Sequence, residues 1–239
     1  MRDLFIADAH LRNPQDENYR RLLSFLSRQG GEIRTLFLLG DIFQFWIGRR
    51  FENFAPYQPM LQMLRQLQAG GTKIVYVEGN HDFYLAPYFA AVMGCTVLPD
   101  GGDADCDGLQ IHVAHGDLVD PDDTGYHKLR RLLRSRLTRF LAHILPVNLI
   151  WRISEWGANK SAGSRAGREV DSAPREKLIN HARPHFENGC AAVITGHFHQ
   201  PLCEKSDQGT IIALGDWITQ YSYAVCEDGK FRLETDSGE

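Results

Sequence analysis

Five apolar, β-rich runs of this chain each end at residues whose side chains bind metal ions. The junctions are Asp8-Ala9-His10, Gly40-Asp41, Gly79-Asn80-His81-Asp82, His115-Gly116-Asp117 and Gly196-His197-Phe198-His199. A glycine accompanies the ligand in every junction but the first. The carboxyl ends of parallel strands meet at one edge of an open sheet, and ligands bind there. One such motif occurs often by chance, but five in one chain predict a shared metal-binding edge.

Strand-like and helix-like segments alternate through the first half of the chain. Residues 4–7, 35–39 and 73–77 read as buried strands, and apolar residues at helical spacing predict helices over 19–28 and 59–68. This order predicts an α/β fold with parallel strands buried on both faces. Further strands are predicted at 96–98, 109–114, 191–195, 210–214 and 221–225. Short glycine-containing turns between the last of these favour an antiparallel portion near the C-terminus.

Composition limits the class of protein but does not identify the reaction it catalyses. The 239 residues fit one sizeable domain, or one domain with an insertion. A net charge of -4 gives no reason to expect nucleic acid as a partner. Five cysteines without a C-x-x-C spacing favour a reducing, cytoplasmic setting. We see no signal peptide and no apolar run near the roughly 18 residues that a membrane span needs.

Residues 124–154 contain no aspartate or glutamate. Basic and leucine-rich positions interleave there, and Pro146 interrupts the helical pattern. We predict a helical insertion at 124–165, basic on one side and apolar on the other, between core segments 1–123 and 166–239. One hypothesis is a lid over the metals, with an apolar groove for acyl chains. The alternative is a plain helical subdomain with a solvated basic face.

The ligand types at the junctions suit two divalent metal ions side by side. Such a pair, about 3.5–4 Å apart, clamps a phosphoryl group and activates a water. The candidate ligands are Asp8, His10, Asp41, Asn80, His115, His197 and His199. We further predict His81 as the general acid or transition-state stabiliser, with Asp82 fixing its tautomer. The alternative is that His81 only caps its loop.

The ordered blocks Asp-x-His, Gly-Asp, Gly-Asn-His-Asp, His-Gly-Asp and Gly-His-x-His resemble the calcineurin-like metallophosphoesterase superfamily. The resemblance implies a four-layer αββα double β-sandwich with a helical lid, and a binuclear site. It implies that Asp8, His10, Asp41 and His199 bind one metal. The second metal would be bound by Asp41 as bridge, Asn80, His115 and His197. Mixed nitrogen and oxygen ligation admits manganese, iron and zinc, and the family favours Mn²⁺.

Residues 40–48 and 196–201, together with the chain length, are similar to the UDP-2,3-diacylglucosamine hydrolases of lipid A biosynthesis. This resemblance implies hydrolysis of the diphosphate of an acylated UDP-sugar, which releases UMP and the acylated sugar 1-phosphate. Substrate contacts would then include Asn80, His81, Asp123, Ser161, Arg165 and His197. The basic face of the insertion would contact anionic lipid at the inner face of the membrane, as a peripheral protein does.

One position departs from that family pattern. The main branch carries arginine after the asparagine of the third block, whereas this chain carries His81. A relative acting on another, soluble phosphomonoester or phosphodiester therefore stays open as an alternative. A catalytically inactive binding scaffold is disfavoured, because every ligand position is filled by a competent residue. Oligomeric state stays open. The remaining histidines are predicted to be structural or solvent-facing, namely His112, His127, His143, His181 and His185.

Overall fold

The computed structural model describes residues 1–155 and 174–238. The helices are α1 (Glu17–Arg28), α2 (Gln58–Ala69), α3 (Ala86–Phe89), α4 (Thr124–Leu133), α5 (Arg136–Ile144), α6 (which includes 147–155) and α7 (Pro174–Glu187). The strands are β1 (Arg2–Ile6), β2 (Ile33–Leu38), β3 (Trp46–Ile47), β4 (Lys73–Val77), β5 (Asp82–Phe83), β6 (Thr96–Leu98), β7 (Gly102–Cys106), β8 (Leu109–Ala114), β9 (Ala192–Thr195), β10 (Leu202–Lys205), β11 (Thr210–Ala213), β12 (Ser222–Glu227) and β13 (Lys230–Thr235).

Two mixed sheets carry the fold. The first has six strands in the order β13-β12-β1-β2-β4-β6, and the second has five in the order β10-β11-β9-β8-β7. The strands β1, β2, β4 and β6 are parallel, as are β8, β9 and β11. The strands predicted at 4–7, 35–39 and 73–77 are thus confirmed as neighbours in one parallel block.

The sheets pack face to face between layers of helices. Side chains from both sheets, such as Phe37, Val113 and Ile194, form one apolar core. On the outer face of the first sheet, α1 and α2 bury residues such as Leu22 and Leu64 in a second core. On the outer face of the second sheet, α7 packs through a third core. This layering confirms the predicted αββα sandwich.

Tight Asp-Gly turns produce the antiparallel edges of both sheets. Asp107-Gly108 joins β7 to β8, and Asp228-Gly229 joins β12 to β13. All four turn residues have positive φ, as a two-residue type I′ hairpin requires. Antiparallel pairing near the C-terminus is therefore observed, through the strands β12 and β13. The predicted strands 210–214 and 221–225, however, lie in different sheets, where β11 pairs with β9 and β12 pairs with β1.

The acid-free segment forms the three helices α4, α5 and α6 within the described residues. The side chain of Asp123 caps α4 by accepting from the Tyr126 N–H at 2.8 Å, and Ser135 caps α5 by accepting from the Thr138 N–H at 3.2 Å. The helical nature of the predicted insertion is confirmed over this part. Its C-terminal portion, including Ser161 and Arg165, lies outside the described residues.

Within residues 1–155 and 174–238, no helix combines the length and apolarity needed to cross a bilayer.

Candidate metal centre

All five junctions meet at one edge of the sandwich. Asp8, Asp41 and Asn80 follow β1, β2 and β4 of the first sheet, while His115 and His197 follow β8 and β9 of the second. The His197 N–H donates to Asp8 Oδ2 at 2.7 Å and so links the two sheets at this edge. Within the second sheet, the Gly196 N–H donates to the His115 carbonyl at 2.8 Å and so joins the last two junctions. The predicted convergence of the five junctions is confirmed.

Three of the candidate ligands form one tight cluster of donor atoms. Asn80 Oδ1 lies 3.0 Å from both His115 Nε2 and His197 Nδ1, and these two nitrogens are 3.2 Å apart. His115 Nδ1 lies 2.8 Å from the Leu39 carbonyl, to which it donates. In the neutral ring that contact keeps the proton on Nδ1, so the lone pair is on Nε2, which faces the other two atoms. A shared cation would satisfy all three.

A second cluster lies on the other side of Asp41. His199 Nε2 is 3.4 Å from Asp8 Oδ1, and His10 Nε2 is 3.7 Å from Asp41 Oδ2. Asp8 Oδ1 is buried and lacks a hydrogen-bond partner. A buried carboxylate oxygen is normally paired, because desolvation without a partner costs free energy. A divalent ion would satisfy this orphaned atom.

Asp41 lies between the clusters. Its Oδ2 is 3.7 Å from His10 Nε2 and 3.6 Å from His115 Nε2, while its Oδ1 accepts from the His81 N–H at 2.8 Å. Burial alone would raise the pKa of this carboxyl, but the facing imidazoles outweigh burial and lower its pKa. Asp41 is thus an anion placed to be shared by two cations.

The imidazoles differ in protonation according to their surroundings. Burial lowers the pKa of His10 to about 4 and that of His197 to about 4. Both rings are therefore neutral at pH 7 and offer lone pairs. At His115 and His199 burial is outweighed by nearby carboxylates, which raise the pKa values to about 9 and about 10. Metal binding at those two positions must displace a proton.

The structure corrects the role of Asp82. His81 Nδ1 lies 2.9 Å from the Gln44 carbonyl, so Gln44 fixes the His81 tautomer. The Asp82 carboxylate instead accepts from the N–H groups of Asp41 and Ile42 at 2.8 and 2.7 Å and from the Tyr76 hydroxyl at 2.6 Å. The prediction that Asp82 orients His81 is therefore wrong. Asp82 fixes the backbone that carries Asp41.

A family model described as calcineurin-like phosphoesterase matches residues 1–201. The chain belongs to this family. It is similar to the UDP-2,3-diacylglucosamine hydrolase of Aeromonas salmonicida (strain A449), with 31% identity over 98% of this chain and 93% of that protein. The protein of the same name from Pseudomonas syringae pv. syringae (strain B728a) is 33% identical over 97% of this chain and 94% of its own length.

Among solved structures, one described as a novel archaeal phosphodiesterase covers 98% of this chain and 99% of that chain. It has 14% identity and a TM-score of 0.49. Membership in the calcineurin-like phosphoesterase family, which implies divalent metal ions, confirms the predicted metal-dependent hydrolase. The oxygen and imidazole donors of the two clusters fit such ions.

The sequence analysis assigned no role to two carboxylates that lie beside the candidate ligands. Asp216 Oδ2 lies 3.5 Å from His199 Nδ1, and its Oδ1 accepts from the Ile218 and Thr219 N–H groups at 2.9 and 2.6 Å. It is therefore a carboxylate that orients the imidazole of a candidate metal ligand. Gly215-Asp216 directly follows an apolar strand, so the signal used at Gly40-Asp41 was also present here.

The second carboxylate is Asp117, the last residue of the fourth junction, which connects the core to α4. Its Oδ2 accepts from the Tyr126 hydroxyl and, at 3.0 Å, from Arg130 Nε. Arg134 Nη1 donates to Glu78 Oε2 at 2.6 Å. Arg130 of α4 and Arg134, directly after α4, thus bind acids of the core, while Lys128 and Arg131 are exposed. The Tyr126 ring centroid lies 6.3 Å from that of His197, so α4 borders the metal centre.

The predicted substrate contacts lie in several environments. Asn80, His81 and His197 lie at the centre described above. Asp123 is exposed and caps α4 through its side chain. Ser161 and Arg165 lie outside the described residues. Their contacts with substrate stay predictions.

Proposed function

We propose that this phosphoesterase hydrolyses the diphosphate of a UDP-linked, doubly acylated glucosamine. Water supplies the oxygen added to one phosphorus, the P–O–P bridge breaks, and UMP and the acylated sugar 1-phosphate are released. The observation that carries this proposal is the near-full-length similarity to proteins named UDP-2,3-diacylglucosamine hydrolase. The composition of the helices beside the metal centre supports it independently.

The metals of the proposal are two Mn²⁺ ions. Asp8, His10 and His199 would bind one, while Asn80, His115 and His197 would bind the other, with Asp41 shared. When bound, such ions supply Lewis-acid stabilisation of the phosphoryl oxygens and a nucleophilic water. The support for this assignment is the orphaned Asp8 oxygen and the three donors within 3.2 Å of one another.

His81 supplies the proton in this proposal. Its Nδ1–H donates to the Gln44 carbonyl, so the ring presents Nε2 on its other side. In the imidazolium form, Nε2–H is a donor to a phosphate oxygen and protonates the leaving group. The ring is 4.8 Å from His10, measured between centroids, which places it beside the metal cluster.

The helices α4–α6 serve as the lid that accepts the acyl chains. Eight large apolar side chains of these helices are more than 40% exposed, namely Leu129, Leu132, Leu137, Phe140, Leu141, Ile144, Leu149 and Ile153. A patch of this kind marks a site for an apolar partner. A cavity of about 370 Å³ lies between α5 and the Arg50–Asn53 turn, lined by Ile47, Tyr84, Arg139, Ala142 and Val147. This volume is within the range found for small-molecule pockets, so the cavity is large enough for part of the acylated substrate.

The same surface supports a peripheral contact with the membrane that contains the substrate. Its apolar residues Leu129, Leu132 and Leu137 directly follow the basic residues Lys128, Arg131 and Arg136 in the sequence. Basic residues near an anionic leaflet contribute about 1 kcal/mol each to attraction. A cytoplasmic location at the inner membrane, and the division into core and insertion at 124–165, stay predictions of the proposal.

The test compares two substrates with one protein preparation. Purified protein loaded with Mn²⁺ is incubated with the acylated UDP-sugar or with an artificial aryl phosphodiester, and UMP or aryl alcohol release is measured. Release of UMP by the unaltered protein, together with no release by the Asp41→Asn variant, supports the proposal. Cleavage of the aryl ester alone would instead favour the alternative of a soluble phosphoester substrate. No turnover of either by the metal-loaded protein would favour an inactive scaffold.

A further inference from the structure

A second group of imidazoles lies on the outer face of the second sheet, away from the five junctions. His112 comes from β8, and His181 and His185 come from α7. Each offers one nitrogen, and these three nitrogens all lie within 4.8 Å of one another. The ring centroids of His112 and His185 are 3.5 Å apart, and those of His181 and His185 are 5.1 Å apart. The sequence analysis predicted these histidines to be structural or solvent-facing.

The fold explains why the three rings meet. The neighbours of His112 on β8, Ile111 and Val113, point into the core between the sheets, so His112 points outward. On that outer face α7 packs through Leu178 and Ala182. A spacing of four residues places His181 and His185 on one side of the helix. Two histidines at this spacing are a recurring metal-binding arrangement.

A carboxylate orients the strand histidine. Asp103 is directly opposite His112 in the β7–β8 ladder, and its Oδ1 accepts from His112 Nδ1 at 2.7 Å. Metal-binding histidines commonly donate their second ring nitrogen to a carboxylate, which fixes the tautomer and makes the other nitrogen more basic. His112 Nε2 is therefore left with a lone pair.

An unpartnered atom points to a ligand. His181 Nε2 is buried and lacks a hydrogen-bond partner, although buried polar atoms are normally satisfied. Burial, with help from the neighbouring His185 and His112, lowers the pKa of His181 to about 4. The ring is therefore neutral at pH 7, and it can accept a metal ion without first losing a proton.

We propose that His112, His181 and His185 bind one transition-metal ion of the zinc class, with Asp103 orienting His112. Imidazole ligands suit Zn²⁺, Cu²⁺ and Ni²⁺, in contrast to the oxygen-rich sets that suit Mn²⁺. Three histidines leave the fourth tetrahedral position for a water. Bonds of about 2.1 Å require nitrogens roughly 3.4 Å apart, so the site is completed by side-chain rotations that also separate the stacked His112 and His185 rings. The ion would connect α7 to the strand that leads into His115.

Metal counting tests the site directly. The full-length protein and the variants His185→Gln and His143→Gln are stripped of metal and dialysed against Zn²⁺ with excess Mn²⁺. Bound zinc per chain is then measured by mass spectrometry. His143 is exposed in α5 and controls for the loss of one histidine. We expect His185→Gln to bind one zinc fewer than the other two proteins. Zinc entering the binuclear centre adds equally to all three, and equal zinc in all three overturns the proposal.

A second measurement on the unaltered protein removes any dependence on variant folding. Histidines are modified with diethylpyrocarbonate at saturating Mn²⁺, with and without Zn²⁺, and the modified positions are mapped on peptides. Zinc should slow modification of His185 at least fivefold and leave His143 unchanged. Equal rates at His185 with and without zinc would contradict the site, whatever the activity of the enzyme.

Discussion

At the scale of single residues, the candidate metal centre is built on strained backbone. Nine non-glycine residues of the described chain have positive φ. Five of them are predicted metal ligands, namely Asp8, His10, Asp41, His197 and His199. A non-glycine residue in this region costs about 1–3 kcal/mol and persists only where the surroundings enforce it. The packed strand ends therefore impose the ligand positions, and the site is preorganised for its metals.

The role of His81 is tested by removing its ring. His81→Ala should lower kcat by about 10²–10⁴-fold, the range expected for loss of a general acid. Both metals should remain bound, because the Asp41 contact uses the His81 backbone N–H, which alanine keeps. Metal content and kcat are measured on the same sample. Full turnover with both metals present would exclude the proposed proton transfer.

Metal binding should be coupled to proton release. Nearby carboxylates raise the pKa of His115 to about 9 and that of His199 to about 10 despite burial. In the absence of metal, both imidazolium ions stabilise the fold below the unfolded pKa of about 6.5, and this stabilisation is lost as pH rises through 9–10. Bound metal requires neutral rings. Metal affinity should therefore rise as pH increases towards 9–10, where the two imidazolium ions lose their protons.

A pH-stat titration of metal-stripped protein with Mn²⁺ at pH 7 measures that coupling. Protons should be released on loading, and His199→Gln should release about one fewer, since glutamine carries no titratable proton. The release should diminish as the starting pH approaches 10. Proton release that stays constant from pH 7 to pH 10 would contradict this account.

At the scale of elements, glycines allow the strand ends to approach one another. A Cβ on Gly79 would lie 2.1 Å from Asp41 Oδ1 and 2.5 Å from the Asp41 nitrogen. Gly79→Ala should therefore displace Asp41, lower the free energy of unfolding by about 1–3 kcal/mol and reduce metal content. Gly102→Ala is the matched control, because its Cβ would meet only the Leu98 side chain, at 3.5 Å. Denaturant unfolding and metal analysis of both variants check the difference.

Residues with a signal in the neighbouring sequence were predictable, and residues whose role depends on distant partners were not. Strand ends carrying Asp, Asn or His follow from apolar runs and neighbouring residue types, so all seven candidate ligands were identifiable. Asp216 and the Asp228-Gly229 hairpin had usable local signals that went unread. The role of Asp82 had no such signal, because its partners Asp41 and Ile42 lie about forty residues away in sequence. Such long-range contacts depend on the tertiary fold.

In the molecule as a whole, the segment α4–α6 has two kinds of side chain. Some bind the core, and others are exposed. Arg130 and Arg134 bind Asp117, Asp100 and Glu78, which attaches α4 beside the metal centre. Leu137 and Phe140, by contrast, are 64% and 61% exposed. Exposed leucine and phenylalanine gain about 1.5–3 kcal/mol each when fully buried. An acylated substrate or a lipid surface would provide that burial.

Placing charge on this surface separates its role from that of the metal centre. Phe140→Glu, combined with Leu137→Glu, should reduce kcat/KM for the acylated UDP-sugar by at least about tenfold, because each charge opposes burial of an acyl chain. Hydrolysis of the artificial aryl phosphodiester should stay within about twofold, since the metal ligands are untouched. Val92→Glu, at an exposed apolar position after α3, is the matched control and should leave both rates unchanged. Equal loss on both substrates would show that these residues support the fold and have no specific role in binding acyl chains.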